Sequence, residues 1–334
     1  MSADLDPRFR IVASQVLEER ATQITALSTG VLDVSEPAGA ADLWLAARRL
    51  RAALEIFRSC LGRVEYREGR AEARRISRAV GKRRDIDVVI AAYESVLEET
   101  APEDAGGLGK LVSNLRREQA TANRALAQVV HGRRMQAFRV RIEEIADSTV
   151  GNESVDRVEE YRTVEVLPPD VLDLIGKRLA RLRREAGESL EADGVEAQHR
   201  MRVAAERLRY ALELSGDALG SQAHTARRAA RGLQEVLSEI RDCDLAVPPA
   251  RQVIGELEAE DVATIIERGR GSRDLDPVLV QAAPNRAAYR GVELAVVHLL
   301  ARRQMLFERF KRLWMEQSRQ GVWVALETSL KVES

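Results

Sequence analysis

The sequence predicts an all-α fold, and three observations carry that reading. Long stretches such as AADLWLAARRLRAALEIFRSCLG and EAQHRMRVAAERLRYALELSGDALG place Ala, Leu, Arg and Glu with helical periodicity. Aromatic residues are only 4%, and glycine and proline are few. Alternating, strand-like runs are scarce; the one short patch, Tyr161–Leu167, falls in a polar stretch.

The helices follow in an order that repeats. A leading helix is expected over Arg8–Leu27. The block LAARRLRAALEIF (Leu45–Phe57) then matches VAAERLRYALELS (Val203–Ser215) without a gap, at an offset of 158. RAEARRISRAVGKRRDIDV (Arg70–Val88) parallels RRAARGLQEVLSEIRDCDL (Arg227–Leu245), both closing on Arg-Asp-x-Asp. VVHGRRMQAF (Val129–Phe138) resembles VVHLLARRQMLF (Val296–Phe307), with two extra residues in the later copy. Val171–Leu190 is the second leading helix. Residues 5–146 and 171–320 thus read as two copies of one four-helix unit, joined by a polar linker, 147–170, that ends in Pro168 and Pro169. Pro102 with Gly106, Gly107 and Gly109 marks a loop inside the first copy. Gly269, Gly271, Pro277 and Pro284 mark its counterpart.

At about 100° per residue, Met201, Ala204, Ala205, Leu208 and Leu212 gather on one side of their helix as a core stripe. His199, Arg202, Glu206 and Arg209 gather on another, at spacings of three, four and three. The earlier copy carries Ala41, Trp44, Arg48 and Arg51 there, with Arg49 and Arg207 on the flank. In the next block Arg70, Arg74 and Arg84 correspond to Arg227, Arg231 and Arg241, and in an unbroken helix each trio falls within a narrow arc. Arg133 and Arg134 pair with Arg302 and Arg303. A charged stripe on one amphipathic helix is ordinarily its wet side, with both signs interleaved. Return of the same arginines in two diverged copies favours a shared polyanion site instead. Asp85 with Asp87, and Asp242 with Asp244, are read as structural partners of an arginine at a helix end rather than as metal ligands.

Bulk properties bound the function. Lys+Arg 52 nearly cancels Asp+Glu 53, so net charge gives no global steering toward a polyanion, and any anion site must come from arrangement. No run approaches the roughly 18–20 apolar residues of a membrane span. The N-terminal MSADLDPRFR has no apolar signal stretch. Cys60 and Cys243, far apart in a long chain, suit a reducing cytoplasm.

The block HRMRVAAERLRYALEL and the two Arg-Asp-x-Asp ends resemble the CHAD family (conserved histidine α-helical domain). The pattern His-x-x-Arg-Val, a basic cluster and Leu-Arg is met by His199, Arg202, Val203, Arg207, Leu208 and Arg209. The resemblance runs from the first helix to about Trp314. It implies two four-helix bundles related by a pseudo-twofold axis, a groove lined by basic residues, and binding of inorganic polyphosphate at polyphosphate granules. Three positions depart from the pattern. Ala41 and Trp44 stand where histidine and arginine are expected, and Glu206 stands where a basic residue is usual. Glu206 is placed to pair with Arg202 and Arg209 along its own helix. The second copy, which keeps His199 and Arg202, is therefore the expected seat of the anion.

Catalytic chemistry is not legible. The four histidines form no metal-binding pair, neither cysteine has a CxxC neighbour, and there is no P-loop or nucleophile elbow. The Glu-x-Glu-x-Lys strand of the triphosphatase domain often fused to CHAD domains is also missing. The chain reads as a non-enzymatic binder without cofactor or metal. A helical scaffold with a degenerate anion site, contacting an acidic protein, is the alternative. Nucleic acid is disfavoured by the scarcity of aromatic stacking platforms and the absence of net positive charge.

Overall fold

The computed structural model describes residues 5–150, 167–215, 218–281 and 283–332, and among these every regular element is helical. The first repeat gives α1 (Pro7–Ser28), α2 (Pro37–Ile56), α3 (Arg63–Glu98), α4 (Ala105–Val130) and α5 (Gly132–Val150), with a 3-10 turn at Arg58–Cys60. The second gives α6 (Pro169–Ser189), α7 (Val195–Ser215), α8 (Gly220–Arg268), the short α9 (Val278–Gln281), α10 (Arg286–Arg319) and α11 (Val322–Val332). Of the linker expected at 147–170, residues 151–166 lie outside the described residues, as does most of the Tyr161–Leu167 patch.

Local chemistry sets several boundaries. Proline opens α1, α2 and α6 at the position where a helix has no use for the missing N–H. Asp6 caps α1, its Oδ1 accepting from the Arg8 N–H at 2.8 Å. The matched segments around Arg133 and Arg302 differ in form. His131–Gly132 breaks the first between α4 and α5, whereas α10 runs through the second.

The Arg-Asp-x-Asp motifs do not close helices: α3 continues to Glu98 and α8 to Arg268. Two of their aspartates bond to a neighbouring helix. Asp87 accepts from Gln119 Nε2 at 2.7 Å, and Asp244 accepts from Arg303 Nε at 2.5 Å. The α8 helix also passes through Pro248 and Pro249, which remove two N–H donors from its ladder. Just upstream, the buried Tyr93 hydroxyl donates to the Ala246 carbonyl at 2.5 Å.

Contacts divide the chain into two compact units, each drawing on both repeats. The first unit comprises 1–84, 122–238 and 307–334. In it α1 packs on α5 and α2, α7 packs on α6 and α2, and α11 packs on α6. Its core includes Leu17, Ile24, Leu43, Leu50, Leu54, Ile145, Leu182, Met201, Leu208 and Leu212. The stripe expected on α7 is buried throughout.

The second unit comprises 85–121 and 239–306. There α4 and α10 approach closely enough that glycine is required. A Cβ on Gly107 would lie 2.3 Å from the Ala288 carbonyl oxygen, and one on Gly291 would lie 2.0 Å from that of Asp104. Asp104 also accepts from Arg290 Nε at 2.8 Å. Asp261, 5% exposed, accepts from the Asn285 N–H and the Tyr289 hydroxyl, fixing the start of α10.

Candidate functional site

The contact between α2 and α7 brings together the two matched arginine blocks. Adding 158 carries Arg48 onto Glu206, Arg49 onto Arg207, Arg51 onto Arg209 and Glu55 onto Glu213. Arg48 Nε forms a close ion pair with Glu206 Oε1, so the two equivalent residues face each other. Arg49 reaches Glu213 at 3.2 Å, and its equivalent, Arg207, lies in the field of Glu55. An arginine at 206 would set like charge against like at the centre of this contact; glutamate replaces that repulsion with a buried pair.

Glu206 is wholly buried, with Arg202 Nη1 3.6 Å from its other oxygen. The expected pairing with Arg202 is therefore present. Arg209 turns instead to Glu213 at 3.8 Å and stacks on Tyr210. Arg202 is itself buried, so the face predicted for the anion on α7 looks into the helix contact. Arg207, placed on the flank by the helical wheel, is the exposed member of the block. His199 is half-buried on the same helix.

Beside this contact opens a cleft of about 180 Å³, lined chiefly by Arg48, Arg51, Glu55, Arg178, Arg207 and Tyr210. Glu55 is its hub. It accepts from Arg178 Nη2 at 2.8 Å and Arg51 Nε at 3.3 Å, and Arg70 Nε stands 3.9 Å away. Arg178 is locked by a second bond, from Nη1 to the Arg207 carbonyl at 2.9 Å. Burial lowers the pKa of Arg178; Glu55 opposes the shift, and Arg207 and Arg51 add repulsion. Arg207 is lowered in the same way, by desolvation first, with Glu55 opposing and Arg51 and Arg48 repelling. Guanidinium groups stay protonated under such strain. Burial is the main cause of both shifts, and Glu55 opposes it in each case. Chemically, the cleft is an array of forked donors suited to an oxyanion.

Trp44, which replaces an arginine of the pattern, holds two others. The Arg48 guanidinium lies 4.4 Å and that of Arg84 5.3 Å from its ring centroid. The ring fits because Gly81 has no side chain: a Cβ there would be 3.2 Å from the indole nitrogen.

The remaining sequence-predicted arginines are elsewhere. Arg74, Arg133 and Arg134 are exposed, and Arg227 is half-buried on α8. Arg231 pairs with Glu235 at 2.7 Å. Arg241, Arg302 and Arg303 belong to the second unit, where Arg302 reaches Glu239 at 3.0 Å and Arg303 is held by Asp244. Arg178 was not among the sequence candidates. The signal that finds it is the same offset of 158, which pairs it with Arg20 one helix upstream of the matched block. Among the described residues, no group of three or more His, Cys, Asp or Glu side chains gathers to hold a metal, and no helix is long and apolar enough to cross a membrane.

Residues 15–248 match the family model of the CHAD domain. No curated protein matches the chain. Among solved structures, the CHAD domain from the plant Ricinus communis is similar at 19% identity, covering 97% of this chain and 91% of that one, with a TM-score of 0.55. PptA from Streptomyces chartreusis is similar at 16% identity, covering 91% of this chain and 98% of that one, with a TM-score of 0.56.

Proposed function

Because the chain belongs to the CHAD domain family, we propose that it binds inorganic polyphosphate without catalysis, in the arginine cleft between α2, α6 and α7. The observation that carries this reading is the cleft's charge. Four guanidinium groups, Arg48, Arg51, Arg178 and Arg207, line it against the carboxylates of Glu55 and Glu206. Polyphosphate offers repeating anionic oxygens and no sequence to read, so it is held by many charge-assisted hydrogen bonds rather than by one shaped pocket. Arg70 and Arg74, one turn apart on α3, are proposed to continue the track. Arg302 and Arg303 are spent on Glu239 and Asp244 and are left out of it. Association with cytoplasmic polyphosphate granules is part of the same proposal.

The test is titration of the protein with long-chain polyphosphate, and with mixed-sequence DNA and RNA, at two salt concentrations. Polyphosphate binding that weakens steeply with salt, through counterion release, is expected. No binding at low salt refutes the reading. A second reading, a helical scaffold contacting an acidic protein, is favoured by one observation: Glu206 and Glu213 already engage Arg48, Arg49, Arg202 and Arg209. It predicts only weak interaction with polyphosphate, even at low salt.

A further inference from the structure

We propose that the outer face of α10, from Glu293 to Met305, is a self-association surface on which a second copy of the chain lies parallel to the first. The helix is apolar on two sides. Val292, Ala295, Leu299 and Leu306 are buried. Yet Leu294 is 56% exposed, Val297 62%, Leu300 41% and Met305 74%. Nine of the sixteen exposed large hydrophobic side chains among the described residues fall in the second unit, although it holds under a third of the chain, so the exposure is concentrated rather than scattered. All nine lie beyond residue 248, outside the span matched by the CHAD model.

The pattern selects both partner and direction. With Leu294 at heptad position a, Val297 falls at d, Ala301 at the next a and Gln304 at the next d, a seam with the spacing of paired helices that closes on one amide. Glu293 and Leu300 then occupy g, and His298 and Met305 occupy e. In a parallel pair each g residue faces the e residue five positions later on the other helix. That sets Leu300 against Met305 of the second copy and Glu293 against the imidazole of its His298, each contact made twice by symmetry. Every exposed large hydrophobic of this segment is covered, and the one acidic side chain meets a hydrogen-bond donor. An antiparallel pair sets g against g and e against e, placing Leu300 beside Glu293 and Met305 beside His298. Self-complementarity of this kind fits a second copy better than an unrelated groove, or than a lipid surface, for which the basic rim would be Arg302 and Arg303, already paired with Glu239 and Asp244.

The patch offers roughly 400 Å² per copy, within the range of a functional surface patch, and about half of what each partner gives to a stable interface. The pair is therefore weak and concentration-dependent. Sedimentation of the full chain between about 1 and 100 μM should show the mean mass rising toward twice that of the monomer, as expected of a small interface. Val297→Asp should hold the protein monomeric over the whole range with unchanged far-ultraviolet circular dichroism, while Val140→Asp, at an exposed valine of the first unit, should leave association intact. Ala301→Cys tests direction. Parallel pairing brings the two introduced thiols together, so mild oxidation should give a covalent dimer, with Cys60 and Cys243 buried and silent. A monomer at every concentration, association unaffected by Val297→Asp, or no crosslink through residue 301 would each overturn the proposal. So would binding of the monomer to neutral lipid vesicles in place of self-association.

Discussion

Removing the Glu206 carboxylate is the sharpest probe of how the α2–α7 contact is held. The side chain has no exposure, while Arg48 and Arg202 are 24% and 9% exposed. At the 3.6 Å separation from Arg202, one unit pair at an effective dielectric of 20 attracts by about 4–5 kcal/mol, before the cost of desolvating both ions is set against it. That cost cancels much of the gain, which is why a buried pair is poor evidence of net stability. Deleting one partner is different, because it leaves two arginines facing each other with their shared counter-charge gone. Glu206→Ala should therefore lose about 3 kcal/mol, the lower part of the range for breaking a buried pair, since Arg48 can swing toward solvent. Urea unfolding followed by circular dichroism measures this as a lower midpoint at unchanged slope. The double replacement Arg48→Leu with Glu206→Leu should recover only the share of the loss that belongs to the Arg48 pair, because buried Arg202 still loses its carboxylate partner. A loss below about 1 kcal/mol for Glu206→Ala, or strictly additive effects of the two positions, would refute the account.

Three further outcomes follow from other parts of the molecule. Arg207→Glu, at the exposed member of the cleft, should weaken polyphosphate binding by at least about tenfold at low salt and flatten the salt slope by roughly one contact, with thermal unfolding unchanged; an unaltered titration places the ligand elsewhere. Gly107→Ala should destabilise by about 1–3 kcal/mol or more, because its Cβ would meet backbone rather than a movable side chain; a neutral effect in thermal unfolding contradicts the close α4–α10 approach. Burial pushes the Cys60 thiol up to about 12 from 9.0, so its contribution to stability is complete below about pH 9 and is lost as pH rises toward 12. Iodoacetamide at pH 8 should leave Cys60 unmodified until denaturant is added, and rapid labelling of the native protein would show that the thiol is accessible.

Composition and periodicity determined much of this protein. The all-α class, the repeat at an offset of 158 and the buried stripe Met201, Ala204, Ala205, Leu208, Leu212 are legible because helical geometry fixes which residues share a face. So is the likeness of α2 to α7, the two helices that supply most of the arginines. Periodicity does not say which neighbour covers a face. It grouped His199, Arg202, Glu206 and Arg209 on one face, where Arg202 is buried and Glu206 is paired with Arg48 of α2. It placed Arg207 on a flank that lines the cleft, where Arg48 and Arg51 of the matched block join it. Arg178 was invisible as a partner of Glu55 because 123 residues separate them along the chain. The same limit applies to the acidic motif at Arg241–Asp244, read as a helix end although α8 continues through it; only the docking of α10 gives Asp244 its arginine. Sequence sets the charge and the face, but the energy of a charge depends on what lies within a few ångströms of it, and that distance is set by tertiary packing.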